Sequence, residues 1–544
     1  MASDIALETK IGTMLAYGWT GETREEQTTV SEHAREIVED MQVGAIVLLS
    51  RNIADDLTLT ANTYNELQAL SREPLLIIAD QEGGMVARFV DGVTVMPSNM
   101  SLGATGDPGL GYRAASAVAS ELRAIGVNFN FAPCVDVNNN PDNPIIGTRS
   151  YGESPENVVE FASQAIRGFQ DQGVIACAKH FPGHGDTSVD SHIALPAVPY
   201  ARERLEAVEL KPFVGAIAAG VSSMMTTHIM FPAFDPDLPA TISHRIITGL
   251  LRDQLGYDGV VVTDCMEMKA LADNWGTVEA CLMAIEAGVD LLLVCHTRAT
   301  QAQVREAIVK AVKDGRISED RIDQSVRRIR ALKAKYSLNS RRTTDPAALA
   351  GILRSPANLA VQREVAERSV TLVKNEDSIL PLKLDSEDTV LVMGLHHSVP
   401  ALGEAVGALW AKTSVLHIQG GDDDEIIASA VEAASAADVI IVPTCPLEPW
   451  RSPVNQELQA RMVKSISELG KRLVVVAVRE PYDLRRFPQV RTYVCSYGYR
   501  GASLEAAAAL IFGKIEPKGT LPVTIPEDAP EEVDTRRSDL PEYF

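Results

Sequence analysis

The chain reads as an α/β protein: an N-terminal (β/α)8 TIM-like barrel followed by a C-terminal α/β sandwich domain. Three observations carry that expectation. In roughly the first 300 residues, eight short apolar runs alternate with stretches of helical period. Around 337–346 the sequence turns polar and irregular, and a second series of apolar runs follows. Finally, 544 residues exceed what one ordinary core organises, so more than one domain is required. The expected division is a barrel over 1–336, a linker over 337–360, and the sandwich domain with an extended tail over 361–544.

Taken in order, the barrel strands are expected at 14–19, 44–49, 75–79, 127–132, 174–178, 222–227, 259–263 and 290–295. Helical stretches such as 157–171 and 203–219 lie between them. A barrel of this kind presents its chemistry at the C-terminal ends of its strands. Asp80, Asp136, Lys179, His180, His228, Asp264 and His296 all fall there. Any one of them could merely cap a helix or hold a loop; so many on one face point to a site. In the second half a helix over about 357–371 precedes strands at 389–393, 439–443, 473–478 and 493–496. Residues 526–544 are charged and proline-bearing, which suits an extended surface tail.

Lys and Arg number 50 against 73 Asp and Glu, a net charge of −23. That balance argues against nucleic acid or an anionic membrane as partner. No apolar run approaches the length of a membrane span, and residues 1–8 hold no long apolar core, so no signal peptide is expected. Seven scattered cysteines without CxxC spacing suggest reduced thiols and a cytoplasmic location.

The densest chemistry lies in 179–192, where three histidines, a lysine and two aspartates gather around glycines and a proline. Phe181-Pro182-Gly183 forbids a helix or central strand, so the segment is expected to be a loop following the run at 174–178. Within it, Asp190 and His192 are two residues apart and can pair if both turn inward, the carboxylate orienting the imidazole. Metal binding is the rival reading. His180 and His184 have i,i+4 spacing, and Asp186, Asp190 and His192 could complete a set, but Pro182 and Gly183 break the helix that makes this spacing a zinc signal. No metal and no cofactor are therefore expected. Asp264, directly after an apolar strand, is costly there unless hydrogen-bonded or used. A carboxylate nucleophile plus a second group that protonates the leaving oxygen is what hydrolysis of a glycosidic bond usually requires.

The loop, with Lys179-His180-Phe181-Pro182-Gly183-His184-Gly185-Asp186-Thr187 followed by Asp190-Ser191-His192, resembles the signature of glycoside hydrolase family 3 in its β-N-acetylglucosaminidase branch. Further stretches fit in the same order: Asp80-Gln81-Glu82-Gly83-Gly84 with Arg88, Asn130-Phe131-Ala132-Pro133 with Asp136, Ile146-Gly147-Thr148-Arg149, Thr226-Thr227-His228 and Thr263-Asp264-Cys265-Met266-Glu267-Met268. In the second half, Ala366–Asn375 and Gly519-Thr520-Leu521-Pro522 resemble the start and end of the family's C-terminal domain.

The resemblance implies Asp264 as nucleophile, His192 as acid/base and Asp190 as its dyad partner. It implies Asp80, Arg149, Lys179 and His180 as ligands of the sugar hydroxyls, with Arg88 and Asp136 either organising that pocket or structural, His228 either touching the sugar or supporting its loop, and Met268 packing beside the sugar. His184 and Ser191 read as scaffolding. Met85 and Cys265-Met266 depart from the commonest pattern, which bears on the leaving group. The implied activity is retaining release of terminal β-linked N-acetylglucosamine from muropeptide or chitooligosaccharide fragments, and so a role in peptidoglycan turnover. Phosphorolysis, with phosphate as acceptor, and β-glucosidase activity are the alternatives. The expected partner is a small carbohydrate; the sequence does not fix an oligomeric state. No motif of the second domain is expected to reach the barrel site.

Overall fold

The computed structural model describes residues 5–188, 195–446 and 455–527. Eight parallel strands close a barrel: β1 (Leu15–Tyr17), β2 (Ala45–Val47), β3 (Leu76–Ala79), β4 (Phe129–Asn130), β5 (Ile175–Phe181), β6 (Ser223–Thr226), β7 (Val260–Cys265) and β8 (Leu291–Val294). Each pairs with its sequence neighbour, and β1 pairs with β8. The runs are short and apolar because both faces of these strands are covered, by the barrel interior and by the helices outside. A single hydrophobic core spans strands and helices alike.

Local signals set the helices. Ser154 accepts a hydrogen bond from Asn157 N and Pro155 opens the helix Pro155–Asp171. Asp107 and Pro108 do the same for Pro108–Ile125, which Gly126 ends at φ 112°. The stretch expected as one helix over 203–219 is two, Arg202–Ala207 and Lys211–Ala218. Pro212 near the start of the second helix has no N–H to carry the first one onward. The strand before the histidine-rich loop also runs longer than expected. β5 includes Lys179, His180 and Phe181, and only Pro182 ends it.

The second half forms a six-stranded sheet: β9 (Thr371–Asn375), β10 (Val390–Gly394), β11 (Thr413–His417), β12 (Val439–Thr444), β13 (Arg472–Ala477) and β14 (Thr492–Cys495). Their order is β9-β14-β13-β12-β10-β11, all parallel except β9 against β14. Alternate residues feed two separate cores, one on each face: Ile440 and Val442 one, Val439 and Ile441 the other. Sequence reasoning missed β9 and β11. Both are edge strands, and β11 is half exposed, so neither makes an uninterrupted apolar run. The segment expected as a linker carries the short helix Leu349–Ile352, and Pro356–Ser369 starts inside it. Asn358 Nδ2 donates to Glu121 Oε1 at 2.8 Å, which ties that helix to the barrel. Among the described residues no helix is long and apolar enough to cross a membrane.

Candidate active site

The ends of β3, β4 and β5 build one side of the barrel mouth from three carboxylates and three cations. Lys179 Nζ sits 2.7 Å from both Asp80 Oδ1 and Glu82 Oε1. Arg88 Nη2 reaches Asp80 Oδ2 at 3.1 Å. Arg149 grips Glu82 with both sides of its fork, Nε to Oε2 at 3.0 Å and Nη2 to Oε1 at 2.9 Å. The side chains of Lys179 and Glu82 are almost wholly buried, and those of Arg88 and Arg149 nearly so. Buried charges persist only when paired, and here every carboxylate oxygen of Asp80 and Glu82 has a cationic donor.

The network continues to His180. Arg149 Nη2 lies 3.2 Å from His180 Nε2, and His180 Nδ1 is 2.7 Å from Asp136 Oδ2. A guanidinium only donates, so Nε2 accepts and Nδ1 carries the hydrogen given to Asp136. Asp136 also accepts from the backbone N–H of His184 (2.7 Å) and from the Cys134 thiol (3.2 Å). Asp136 thus fastens the turn after β5 to the end of β4. Gly185 allows the close approach, since a Cβ there would meet Val137 O at 1.6 Å.

Burial alone raises a carboxyl's pKa, but the surroundings reverse it here. At Asp80 the charges of Lys179 and Arg88 outweigh burial and hold the carboxyl well below its usual range. At Glu82 Arg149 and Lys179 do the same, and at Asp136 the hydrogen bond from His180 helps hold the carboxyl low. Lys179, despite burial, is raised by Asp80 and Glu82. All three acids therefore stay ionised as acceptors.

Across the mouth, Asp264 is the next-to-last residue of β7, half-buried, and its Oδ1 accepts the N–H of Cys265 at 2.7 Å. His228 is buried, with Nδ1 2.8 Å from Thr241 Oγ1 and Nε2 3.0 Å from the Cys265 carbonyl. This braces the loops after β6 and β7 together. Met268 is buried in the turn after β7, its N–H on Cys265 O at 3.1 Å. Asp190 and His192 lie outside the described residues. The structure brings Asp80, Arg88, Asp136, Arg149, Lys179 and His180 into one network, and sets Asp264, His228 and Met268 together at the ends of β6 and β7.

Glu82 escaped the sequence reading as a site residue, although it stands two positions after Asp80 in a stretch singled out. An acid in a segment with buried neighbours was the available signal. The second domain also touches the mouth more closely than expected. Glu480 Oε1 accepts Thr148 N at 2.9 Å, one residue from Arg149, and Arg500 Nε donates to Gly84 O at 2.9 Å. Asn138 Nδ2 donates to the Tyr482 hydroxyl at 2.9 Å, and Arg485 Nη1 pairs with Asp142 at 2.8 Å. These contacts brace the loops after β3 and β4 from outside.

Residues 6–332 match the glycosyl hydrolase family 3 N-terminal domain, and residues 370–543 match the C-terminal domain of the same family. The chain is 32% identical over 569 residues to β-hexosaminidase A of Pseudoalteromonas piscicida, covering 93% of each chain. It is 31% identical to a β-N-acetylglucosaminidase/β-glucosidase of Cellulomonas fimi, covering 91% of each. Among solved structures, a glycoside hydrolase family 3 β-N-acetylglucosaminidase from Paenibacillus sp. str. FPU-7 superposes with a TM-score of 0.86 at 38% identity. That match covers 97% of this chain and 100% of the other.

Proposed function

The chain belongs to glycosyl hydrolase family 3, and on that premise we propose that it is a retaining exo-β-N-acetylglucosaminidase. Its proposed substrates are chitooligosaccharide or muropeptide fragments with a terminal β-linked N-acetylglucosamine, met during cytoplasmic peptidoglycan turnover. The observation that carries this reading is the paired wall of Asp80, Glu82, Arg149, Lys179 and His180 at the same strand-end face as Asp264. Ionised, fixed acceptors and donors suit the hydroxyls of one terminal sugar, and they need no reorganisation when it binds.

In this reading Asp264 attacks the anomeric carbon as the bond to the leaving oxygen breaks. His192, oriented by Asp190, delivers its proton to that oxygen. A water then gives its proton to His192 and displaces Asp264, restoring the β configuration. Seven cysteines without a disulfide suit the reducing compartment proposed. A second reading, in which the pocket also admits β-glucosides, is favoured by the doubly named Cellulomonas fimi relative.

The test is product analysis on matched β-N-acetylglucosaminides and β-glucosides, with and without phosphate. Release of free N-acetylglucosamine in the β configuration, unaffected by phosphate, supports hydrolysis with retention. A sugar phosphate product replaces hydrolysis by phosphorolysis, and an α product overturns retention.

A further inference from the structure

At the ends of β7 and β8, a thiol, a carboxylate and an imidazole converge outside the sugar-facing network. One ligand atom each of Cys265, Glu267 and His296 lies within 4.8 Å of the other two. Cys134, Asp136 and His180 make a second such group. That group is fully buried, and its atoms already bond one another, with Cys134 and His180 both directed at Asp136 Oδ2. The first group is half-buried instead, and Cys265 is the one cysteine of the seven that is not fully buried.

We propose that Cys265, Glu267 and His296 form a binding site for a thiophilic divalent cation of the Zn2+ class. This departs from the expectation of no metal, and it involves none of the histidines that raised the rival reading of the 179–192 loop. The donor set mixes soft sulfur with imidazole and carboxylate, which is the chemistry Zn2+ and Cd2+ take. Tetrahedral bond lengths put ligand atoms about 3.6 Å apart. Cys265 Sγ already lies 4.0 Å from Glu267 Oε2, so small side-chain rotations close the site.

The scaffold is fixed before any cation arrives. Glu267 accepts the N–H groups of His296 at 2.7 Å and Thr297 at 3.0 Å, which locks the turn after β7 to the turn after β8. Each carboxylate oxygen keeps a second lone pair for a metal. Arg51 donates to the Cys295 carbonyl at 2.7 Å, which fixes the start of the turn after β8, and its 3.4 Å approach to His296 Nδ1 is given up when the imidazole binds the cation. Three protein ligands leave the fourth position to water. Binding exchanges the Cys265 thiol proton for the cation, and that proton leaves to solvent.

The position couples the site to turnover. Cys265 N–H holds Asp264, and the Cys265 carbonyl holds His228. A cation on that thiol sets positive charge beside Asp264 and stiffens its strand end. If Asp264 is the nucleophile, as proposed above, occupancy weakens its attack and slows turnover.

The experiment titrates the reduced full-length protein with CdCl2 and follows the ultraviolet thiolate-to-Cd2+ charge-transfer band. The band saturates at one Cd2+ per chain in the wild type and in a Cys281→Ala control. It disappears in Cys265→Ser, and the affinity falls at least about tenfold in His296→Gln. Circular dichroism confirms that each variant is folded, and His296→Gln decides the matter if Cys265→Ser is not. No band in the wild type overturns the site, as does a band that survives both substitutions. A band that depends on Cys265 and His296, with turnover unchanged by Cd2+, retains the site and overturns its link to Asp264.

Discussion

Two sheets end in polar residues near the same seam, and they treat buried charge in opposite ways. At the barrel mouth every oxygen of Asp80 and Glu82 meets a cation, and all three wall acids are held ionised. At the foot of the seam, after β13, Arg479, Glu480 and Asp483 are equally buried but incompletely matched. Among the described residues Arg479 Nη1 and Asp483 Oδ2 lack a hydrogen-bond partner. Burial raises the carboxyl of Glu480 and pushes that of Asp483 up to about 6. Pairing of every carboxylate oxygen holds the wall acids ionised, although Arg88 Nε has no hydrogen-bond partner among the described residues. Partial pairing suffices where the groups only hold one domain against another, as Glu480 does at Thr148 N.

Lys179→Ala should strike the wall hardest, because it leaves Asp80 and Glu82 without their shared cation. Breaking a buried pair costs about 3–5 kcal/mol, so thermal unfolding should fall markedly and activity should vanish. Glu82→Gln keeps the shape but loosens Arg149. A loss of about a hundredfold in kcat/KM is expected, the scale of a charge-assisted hydrogen bond or two, with a fall in melting temperature smaller than that of Lys179→Ala because Asp80 still pairs Lys179. An unchanged kcat/KM would show that the wall does not face the sugar.

Glu480→Gln tests the seam. Its amide oxygen can still accept Thr148 N, but Arg479 loses its buried counter-charge. Stability should drop by about 1–3 kcal/mol, while kcat/KM changes less than about tenfold. A kinetic loss larger than that of Glu82→Gln would reverse the comparison.

The remaining expected effect is one of pH, and it has opposite signs in the two regions. The wall acids have lowered folded pKa values, so their stabilisation is present above about pH 4 and lost below it. Asp483 is raised from 3.8 to about 6, so its contribution has the opposite sign. It is present below about pH 4 and lost as pH rises to about 6, on the order of 3 kcal/mol at full exposure of the effect. Denaturant unfolding of Asp483→Asn should lack that slope, gaining on the wild type between pH 4 and 6 and holding level above pH 7. Parallel pH profiles for the two proteins would remove Asp483 from the account.

How legible these regions were in the sequence follows the same divide. Most barrel strands were readable as short, largely apolar runs, with a polar residue at the strand end, although β4 (Phe129–Asn130) and β6 (Ser223–Thr226) carry polar residues within the run. Asp80, Lys179 and Asp264 announced themselves in that way. Glu82 did not, since its role comes from Arg149, 67 positions away, folding back on it. The seam was illegible for a related reason. Glu480 and Arg500 meet Thr148 and Gly84 only through the packing of two domains, which no local pattern encodes. β11 escaped because a half-exposed edge strand needs no apolar run.

The central claim is that Asp264 forms the covalent bond to a sugar held by the paired wall. It is tested by mass spectrometry of protein treated with a slow-turnover, ring-fluorinated N-acetylglucosaminyl donor. One sugar is expected on the peptide that contains Asp264. A folded Asp264→Asn variant is expected to take no label and to lose at least about a thousandfold in kcat. A label on another residue, or turnover near the wild-type rate in that variant, would contradict it.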